Sequence, residues 1–405
     1  MSAATPQAAP GVEAPARPSR ADLVRRVVQG DLASARVIVG LALIWVIFQS
    51  QNDRFLSAVN LTNLMLQITA VGLISVGIVY VLLLGEIDLS VGAVSGLCAA
   101  IMAVLNVKHG WNPYLAIAAG TLAGTAIGVL QGVLFTRFGV PSFVITLAGL
   151  LVWQGALLRV LGETGTVNIT DSKLTGLANT FYSDTFGWIV AVLVVGLYAG
   201  QSLWSWRGRV QARLADTQLV PVVFRIVVLS AATVIAIAIF NSDRGLPLAV
   251  LILLGFVVGM QYVVTRTRFG RHVYAVGGNA EAARRAGIRV NGIRVAVFGI
   301  AGTMAAIGGI LAASRLLAVN QSSGGSDLLL LAIAGPVIAG TSLFGGRGSV
   351  WTALLGALVI GSISNGMDLL AYESSTKFMV TGGVLALAVV VDAIARRQRQ
   401  AAGRV

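Results

Sequence analysis

"LPLAVLILLGFVVGMQYVV", residues 246–264, is a run of apolar side chains that contains no charged residue. A helix needs about 20 apolar residues to cross roughly 30 Å of hydrocarbon, and this run approaches that length. Two further runs, "FRIVVLSAATVIAIAIF" (224–240) and "ASARVIVGLALIWVIFQ" (33–49), are also apolar, and each contains a single arginine near its start. Because the alternation of apolar and polar residues that is typical of membrane barrels is absent, these runs predict transmembrane helices.

The composition of the whole chain supports this prediction. Of 405 residues, 56% are hydrophobic and 48 are glycine, which is far from the average of soluble proteins. Glycine and alanine recur inside the apolar runs, a pattern typical of closely packed membrane helices. We therefore predict an all-α, polytopic membrane protein with about 10–12 transmembrane helices, the lower number applying if segments near 85–92 or 340–348 are re-entrant. The apolar segments are 34–50, 63–84, 90–106, 114–135, 142–160, 187–205, 220–240, 246–264, 293–313, 328–344, 348–370 and 376–394.

The distribution of charge predicts the orientation of the chain. With the N-terminus in the cytoplasm, alternate connections place 21 of the 29 Lys and Arg residues inside and six outside. This asymmetry follows the positive-inside rule, so the net charge of +13 sets topology and does not indicate a nucleic-acid partner. The predicted parts are a cytoplasmic tail (1–33), one transmembrane domain (34–395) with a long inner loop (265–292), and a basic cytoplasmic tail (396–405).

"GEIDLSVG", residues 85–92, places Glu86 and Asp88 between two long apolar segments. Acidic residues are costly there unless they contact water, a partner or a cavity. One interpretation is a helix start, with Asp88 as the N-cap of the next helix and Gly85 ending the previous one. The other, compatible with the first, is a helix break around Glu86, Asp88 and Ser90 that lines a pathway or contacts a partner.

The most polar stretch within the membrane domain is "GGNAEAARRAGIRVNGIR", residues 277–294. Residues 280–286, "AEAARRA", are strong helix formers, and Gly287 is positioned to end a short helix. We predict that this helix has a face of small side chains that fits a groove in another protein, formed by Ala282, Ala283 and Ala286. Beside it lie the polar residues Glu281, Arg284 and Arg285. A solvated basic inner loop is the alternative.

The sequence contains no motif that indicates catalysis. No stretch matches G-x-x-x-x-G-K-[ST], so any ATP hydrolysis belongs to another subunit. Two histidines, His109 and His272, and one cysteine, Cys98, form no metal-ligand or catalytic pattern. Cys98 lies in an apolar segment, where we expect a small buried side chain.

Three long stretches together resemble a known family. They are "GEIDLSVGAVSGL" from Gly85, "GGNAEAARRAGIRVNGIRVAVFGIAGTMAAIGGILAASRL" from Gly277 and "VIAGTSLFGGRGSVWTALLGALVIGSISNGMDLL" from Val337. In order and spacing they resemble the permease subunits of bacterial monosaccharide ATP-binding-cassette importers, the ribose, arabinose and xylose group. The additional apolar material between Gly187 and Tyr262 is similar to the xylose type.

The resemblance implies a role for the polar stretch. In such importers a short cytoplasmic helix of the permease docks in a groove of the ATPase subunit and transmits its closure to the membrane. Glu281, Ala282, Ala283 and Gly287 match that coupling element, with Gly277, Gly278 and Asn279 just upstream and Arg284 and Arg285 framing the surface.

Polar residues inside the apolar segments are candidates for the translocation pathway, since a sugar offers hydroxyls without charge. Hydrogen bonding between helices is the alternative for each. The principal candidates are Gln67, Gln154 and Asn365, and further ones are Ser75, Gln131, Thr146 and Ser362.

The resemblance implies the function and the partners. We expect a permease of the bacterial inner membrane that carries xylose or a related pentose, working as a homodimer with a separate ATPase and a periplasmic sugar-binding protein. ATP and Mg²⁺ then bind the ATPase, and this chain binds no cofactor. The alternatives are an ion- or proton-coupled secondary sugar transporter and, less favoured by these residues, a membrane-embedded enzyme.

The topology can be tested by labelling single cysteines in a Cys98→Ala background. Because residue 172 falls in an outer connection and residue 212 in an inner one, Ser172→Cys should react with an impermeant thiol reagent in intact cells. Ala212→Cys should react only after the membrane is opened. The reverse pattern would invert the orientation of the long inner loop.

Overall fold

A computed structural model describes residues 32–212 and 218–401, and these residues are almost entirely helical. The predicted tail 1–33, apart from its last two residues, and positions 402–405 of the predicted C-terminal tail lie outside the described residues. Numbered in chain order, the helices of the described part are α1 (Leu32–Gln51), α2 (Ala58–Leu83), α3 (Val91–Val107), α4 (Pro113–Phe138), α5 (Ser142–Leu161), α6 (Ser172–Asn179), α7 (Asp184–Gln211), α8 (Val220–Asn241), α9 (Leu248–Arg266), α10 (Arg268–Gly278), α11 (Ala280–Arg285), α12 (Val290–Leu316), α13 (Ser326–Ile338), α14 (Trp351–Leu369) and α15 (Ser374–Ala401).

The prediction of a polytopic all-α membrane protein is confirmed. Eight of the described helices are long and apolar enough to cross a membrane, namely α2, α4, α5, α7, α8, α9, α12 and α14. Shorter apolar stretches lie at Val37–Gln51, Val91–Val107 and Asp327–Ile338. The predicted segment 328–344 is too long, because its helix ends at Ile338 and Gly340 adopts a positive φ of 104°.

Two helices, α2 and α12, form the centre of the fold. The most apolar part of α2 is 83% buried inside the protein and that of α12 is 67% buried. The corresponding figures for α7 and α8 are 11% and 6%, so this pair lies at the periphery. Cys98 on α3 is fully buried, as expected.

Helix α4 approaches α12 through a stripe of glycines at every fourth position. The stripe is Gly124, Gly128 and Gly132, and Gly120, one turn earlier, meets the Cys98 carbonyl on α3 instead. An added Cβ at Gly124 would lie 2.5 Å from the carbonyl oxygen of Gly302, and one at Gly128 would overlap the carbonyl oxygen of Phe298. The two backbones are therefore in direct contact. In lipid the hydrophobic effect does not favour contact between helices, so this van der Waals packing is what holds them together.

The connections collect at two opposite ends of the helices, as the predicted topology requires. At the end we call outer, strand β1 (Thr166–Asn168) pairs antiparallel with β4 (Ala318–Asn320), and β2 (Phe181–Tyr182) pairs with β3 (Leu246–Pro247). At the end we call inner, the backbone N–H of Gly346 donates to the Leu83 carbonyl at 2.9 Å. The inner end also contains α10 and α11.

Substituting a stripe glycine should destabilise the fold. Gly128→Ala places a methyl group against the α12 backbone, and overpacking of this kind costs about 1–3 kcal/mol. The melting temperature of the detergent-solubilised protein, followed by size-exclusion chromatography after heating, should fall.

The matched control is Gly259→Ala on α9, where an added Cβ would have no atom within 4 Å. Replacing this glycine should leave the melting temperature unchanged or raise it, because alanine favours a helix by about 1 kcal/mol. Equal melting temperatures for the two variants would contradict the role of the stripe.

Candidate functional site

The short helix α11 is fixed at both ends by its own capping interactions. At its start the side-chain oxygen of Asn279 accepts a hydrogen bond from the Ala282 N–H at 2.9 Å. At its end Gly287 has a φ of 81°, its N–H donates to the Arg284 carbonyl, and the Ile288 N–H donates to the Ala283 carbonyl, each at 3.0 Å. This is a Schellman ending, so the predicted helix and its terminating glycine are confirmed, with the last helical residue at Arg285.

The alanine face of α11 differs from the prediction. Ala282 and Ala286 are exposed, but Ala283 is only 4% exposed and joins the apolar cluster that includes Val276 and Val290. The expectation that all three alanines form one outward face is therefore wrong for Ala283. The turns at both ends of α11 set its orientation, and in this orientation the Ala283 methyl group packs against the start of α12.

The outward surface of α11 is polar and preorganised. Glu281 accepts hydrogen bonds from Arg284 at 2.9 Å and from Arg285 at 3.3 Å. All three side chains are more than half exposed, so these ion pairs add little to stability. They hold two guanidinium groups and a carboxylate in a fixed arrangement that a partner protein can contact.

The residues before α11 form a second helix, α10, which the sequence did not lead us to expect. Gly277 and Gly278 are the last residues of α10, and the turn consists of Asn279 alone. The helix forms because Val273 and Val276 lie on one face, where both are buried, while Arg271 is exposed on the other. Because α10 also contains basic residues, its average hydropathy is low, and a hydropathy profile does not show this amphipathic pattern.

Four glycines join α10 to the membrane helices, and we call them the glycine junction: Gly85, Gly277, Gly345 and Gly346. An added Cβ at Gly277 would overlap the Leu83 carbonyl oxygen, and one at Gly345 would lie 2.6 Å from the Gly277 carbonyl oxygen. Gly85, Gly345 and Gly346 have φ values of 75°, 83° and 71°, which favour glycine. The end of α2, the end of α10 and the loop before α14 therefore meet backbone to backbone.

Residues 85–90 form a polar network at the inner end. Gly85 ends α2 as predicted, and Glu86 forms an ion pair of 2.9 Å with Arg294 at the start of α12. The N-cap of α3 is Ser90, so the assignment of that role to Asp88 is wrong. Asp88 is 2% exposed and accepts hydrogen bonds from the Ser90 N–H and hydroxyl at 2.8 and 2.7 Å.

A hydrogen bond from α4 extends this network. Gln131 on α4 donates to the Ser90 hydroxyl at 2.9 Å. Burial raises the pKa of the Asp88 carboxyl, and the two hydrogen bonds from Ser90 oppose that shift. Because the side chains of Asp88 and Ser90 bond to each other and to Gln131 on α4, this segment ties helices together.

Most of the candidate pathway residues form hydrogen bonds with other parts of the protein, either a neighbouring helix or a connection between helices. Asn365 accepts from Asn60 at 2.8 Å, and Gln154 donates to the Gln321 carbonyl at 3.3 Å. The further candidates likewise have partners on neighbouring elements: Ser75 with Ala332, Gln131 with Ser90, Thr146 with Leu89 and Ser362 with Trp45.

The remaining candidate, Gln67, lines a cavity of about 350 Å³ near the outer end, which we call the outer cavity. Its walls come from α2, α3, α12 and the start of α13, together with the loop 318–325. The other polar residues of the lining were not among the predicted candidates: Thr69, Ser95, Arg315, Asn320, Ser322, Ser323 and Asp327. The available signal was the small and polar run "NQSSGGSD", residues 320–327.

Comparison with known proteins identifies the family. The family model described as "Branched-chain amino acid transport system / permease component" matches residues 60–389, which include the inner network, α10, α11, the glycine junction and the outer cavity. The chain belongs to this permease family. No solved structure is significantly similar to the permease.

Named relatives cover most of the permease. The xylose transport system permease protein XylH of Escherichia coli is 37% identical over 89% of this chain and 92% of its own length. XylH of Haemophilus influenzae is 34% identical over 88% of this chain and 95% of its own length. The ribose import permease protein RbsC of Bacillus subtilis is 32% identical over 87% of this chain and 91% of its own length. The predicted resemblance to permeases of the ribose and xylose group is thereby confirmed.

Neighbouring glycines allow a sharp test of the glycine junction. Gly277→Ala should separate α10 from α2, because the new methyl group overlaps the Leu83 carbonyl. If the overlap costs about 1.4 kcal/mol of local stability, the opened form becomes about tenfold more populated. Trypsin added to inside-out vesicles should then cleave at the arginines of α10 and α11 about tenfold faster.

The control is Gly278→Ala, whose added Cβ would have no atom within 4 Å. Its cleavage rate should equal that of the unmodified permease. Equal rates for the two variants would show that the junction does not hold α10 in place.

Proposed function

We propose that this permease is the membrane subunit of an ATP-driven, binding-protein-dependent importer for xylose or a related pentose. The observation that carries the proposal is the 37% identity to a xylose transport system permease protein over 89% of the chain. Identities to ribose import permeases are lower, at 32% and 30%. The family description itself names branched-chain amino acids, so the sugar rests on the relatives.

The protein is a multi-pass membrane protein and a transport subunit, not an enzyme. Its relatives from bacteria are named as permease proteins, and eight of the described helices are long and apolar enough to span a bilayer. We place it in the bacterial inner membrane, with the termini in the cytoplasm. Imported sugar then moves from the outer end to the inner end.

Helix α11 is the proposed docking element for the ATPase. It offers Glu281, Ala282, Arg284, Arg285 and Ala286 to solvent on a helix that is capped at both ends. A short, rigid helix with small exposed side chains can fit closely into a groove of a partner protein. ATP and Mg²⁺ bind that partner, because this sequence lacks a phosphate-binding loop.

Two contacts connect the docking element to the membrane helices. Ala283 anchors α11 in the apolar cluster at the start of α12, and Gly277 fixes α10 against the end of α2. A displacement of α11 by the ATPase therefore acts on the two central helices together. Such coupling requires that the two conformations of the permease bind the ATPase with different affinity.

The remaining partners are a periplasmic sugar-binding protein and a second copy of the permease. The outer segment 162–183, with β1, α6 and β2, offers a structured surface for the binding protein. Pairing of two permeases follows from the family resemblance. A homodimer would present two α11 helices, one for each ATPase of a pair.

The alternative of an ion- or proton-coupled transporter receives little support from the acidic residues. Glu86 is paired with Arg294, Asp368 with Lys377, and Asp88 is hydrogen-bonded to Ser90. All three carboxylates lie at or near helix ends, whereas coupling ions and protons usually bind acidic groups deep within the membrane.

Uptake of labelled sugars tests the proposed function and the docking element together. Cells that express the permease with its ATPase and binding protein should accumulate labelled xylose in preference to ribose and arabinose. Ala282→Trp should abolish this uptake and the co-purification of the ATPase, because a bulky side chain blocks the exposed face of α11. Glu281→Ala should act in the same direction through loss of the ordered polar surface.

Ala212→Trp is the matched control, since residue 212 is also exposed and lies in a different inner connection. It should leave uptake and ATPase binding unchanged, and both tryptophan variants should insert into the membrane at normal levels. Absence of any sugar uptake by the unmodified system would refute the substrate. Normal uptake by Ala282→Trp would refute the docking role of α11 alone.

A further inference from the structure

Small residues form the part of the outer cavity's wall that lies between α3 and α12. Ser95, Gly96 and Ala99 on α3 and Gly309 and Ala312 on α12 form the part of its wall where these two helices meet, and an added Cβ at Gly309 would overlap the Ser95 carbonyl oxygen. Each of these side chains has at most one heavy atom beyond Cβ. The helices approach closely, and the space between them remains open instead of being filled by side chains.

A loop closes one side of the cavity and is held against α3 by direct backbone contact. An added Cβ at Gly92 would lie 2.8 Å from the Gly324 carbonyl oxygen, and one at Gly96 would overlap the Ser323 carbonyl oxygen. Gly324 has a φ of 73°, and Asn320 accepts from the Ser322 N–H at 2.9 Å. The loop is thus a structured part of the cavity wall.

Polar groups without protein partners line this cavity. Within the part of the chain that the structure describes, the side chains of Gln67 on α2 and Asp327 on α13 form no hydrogen bond with another residue. The oxygen of the Asn320 amide is used within its loop, which leaves its NH₂ group as a donor. An amide, a carboxylate and an amide NH₂ together provide both donors and acceptors.

The chemistry of the lining indicates a neutral ligand with several hydroxyl groups. Asp327 and Arg315 contribute one charge of each sign, so the lining carries no net charge. A volume of about 350 Å³ is near the lower limit of the range for small-molecule sites, which suits one monosaccharide better than an oligosaccharide. None of the described lining residues is aromatic, so a sugar ring finds no stacking partner and binds weakly.

We propose that the outer cavity is a low-affinity site for one neutral monosaccharide, bound by Gln67 and Asp327. The identity of the ligand as a pentose rests on the proposed function. The sugar donates hydroxyl hydrogens to the Asp327 carboxylate and exchanges hydrogen bonds with the Gln67 amide. Weak binding suits a site on a transport route, because a ligand that is held tightly leaves slowly.

Saturation-transfer NMR with xylose and the purified full-length permease tests this site without transport. The unmodified permease should give a xylose signal with a dissociation constant on the order of 10 mM. Ala312→Trp should abolish the signal, because the indole ring fills the cavity. Gln67→Ala and Asp327→Ala should each weaken binding by about tenfold, the effect of losing one or two hydrogen bonds.

The matched control is Ala296→Trp, the same substitution at an exposed position of the same helix. It should retain the xylose signal, and size-exclusion chromatography identifies any variant that fails to fold. No signal from the unmodified permease, or equal signals from it and from a folded Ala312→Trp, would overturn the site. Xylose binding that is lost in Ala312→Trp without any xylose uptake in cells would retain the site and reject the proposed function.

Discussion

Direct contact between the backbones of α4 and α12 is the interaction on which the rest of this structure depends. Lipid supplies no hydrophobic drive between two apolar helices, so close van der Waals contact must hold them together. Gly124 and Gly128 permit that contact because a Cβ at either position would meet the α12 backbone. Once α12 is fixed, its remaining faces organise α2 and α3, and its two ends support α11 at the inner end and the outer cavity at the other.

Close backbone contact at glycines also occurs at both ends of the helices. At the inner end Gly277 and Gly345 bring three chain segments together without intervening side chains. At the outer end Gly92 and Gly96 bring a loop onto α3 and leave a cavity beside it. Backbone contacts of this type involve no side-chain rotamers that could absorb a movement. A displacement of one segment therefore displaces the segment in contact with it.

Features that depend on local sequence were predictable, and features that depend on distant pairing were not. The apolar segments, the helix α11 and its ending at Gly287 follow from composition and from the preferences of neighbouring residues. The burial of Ala283 did not follow, since a helix of six residues is too short to show which face is apolar. The sequence also could not distinguish Asn365, which bonds to Asn60 across 305 residues, from Gln67, which lines a cavity, because both are lone amides in apolar segments. The pairing of Glu86 with Arg294 required the fold for the same reason.

Helix α2 contributes to both of these places. Gln67 lies in the wall of the outer cavity, and Leu83, at the end of the same helix, accepts the hydrogen bond that closes the glycine junction. Sixteen residues separate them, about 24 Å at 1.5 Å per residue, and no proline or helix break interrupts the interval. The helix therefore moves as one rigid body, and its inner end is held in contact with Gly277 of α10. If the docking role of α11 and the sugar site are as proposed, a tilt of a few degrees at that contact would change the width of the outer cavity. ATP hydrolysis by the partner and sugar binding in the cavity then need no chain of intermediate side chains between them.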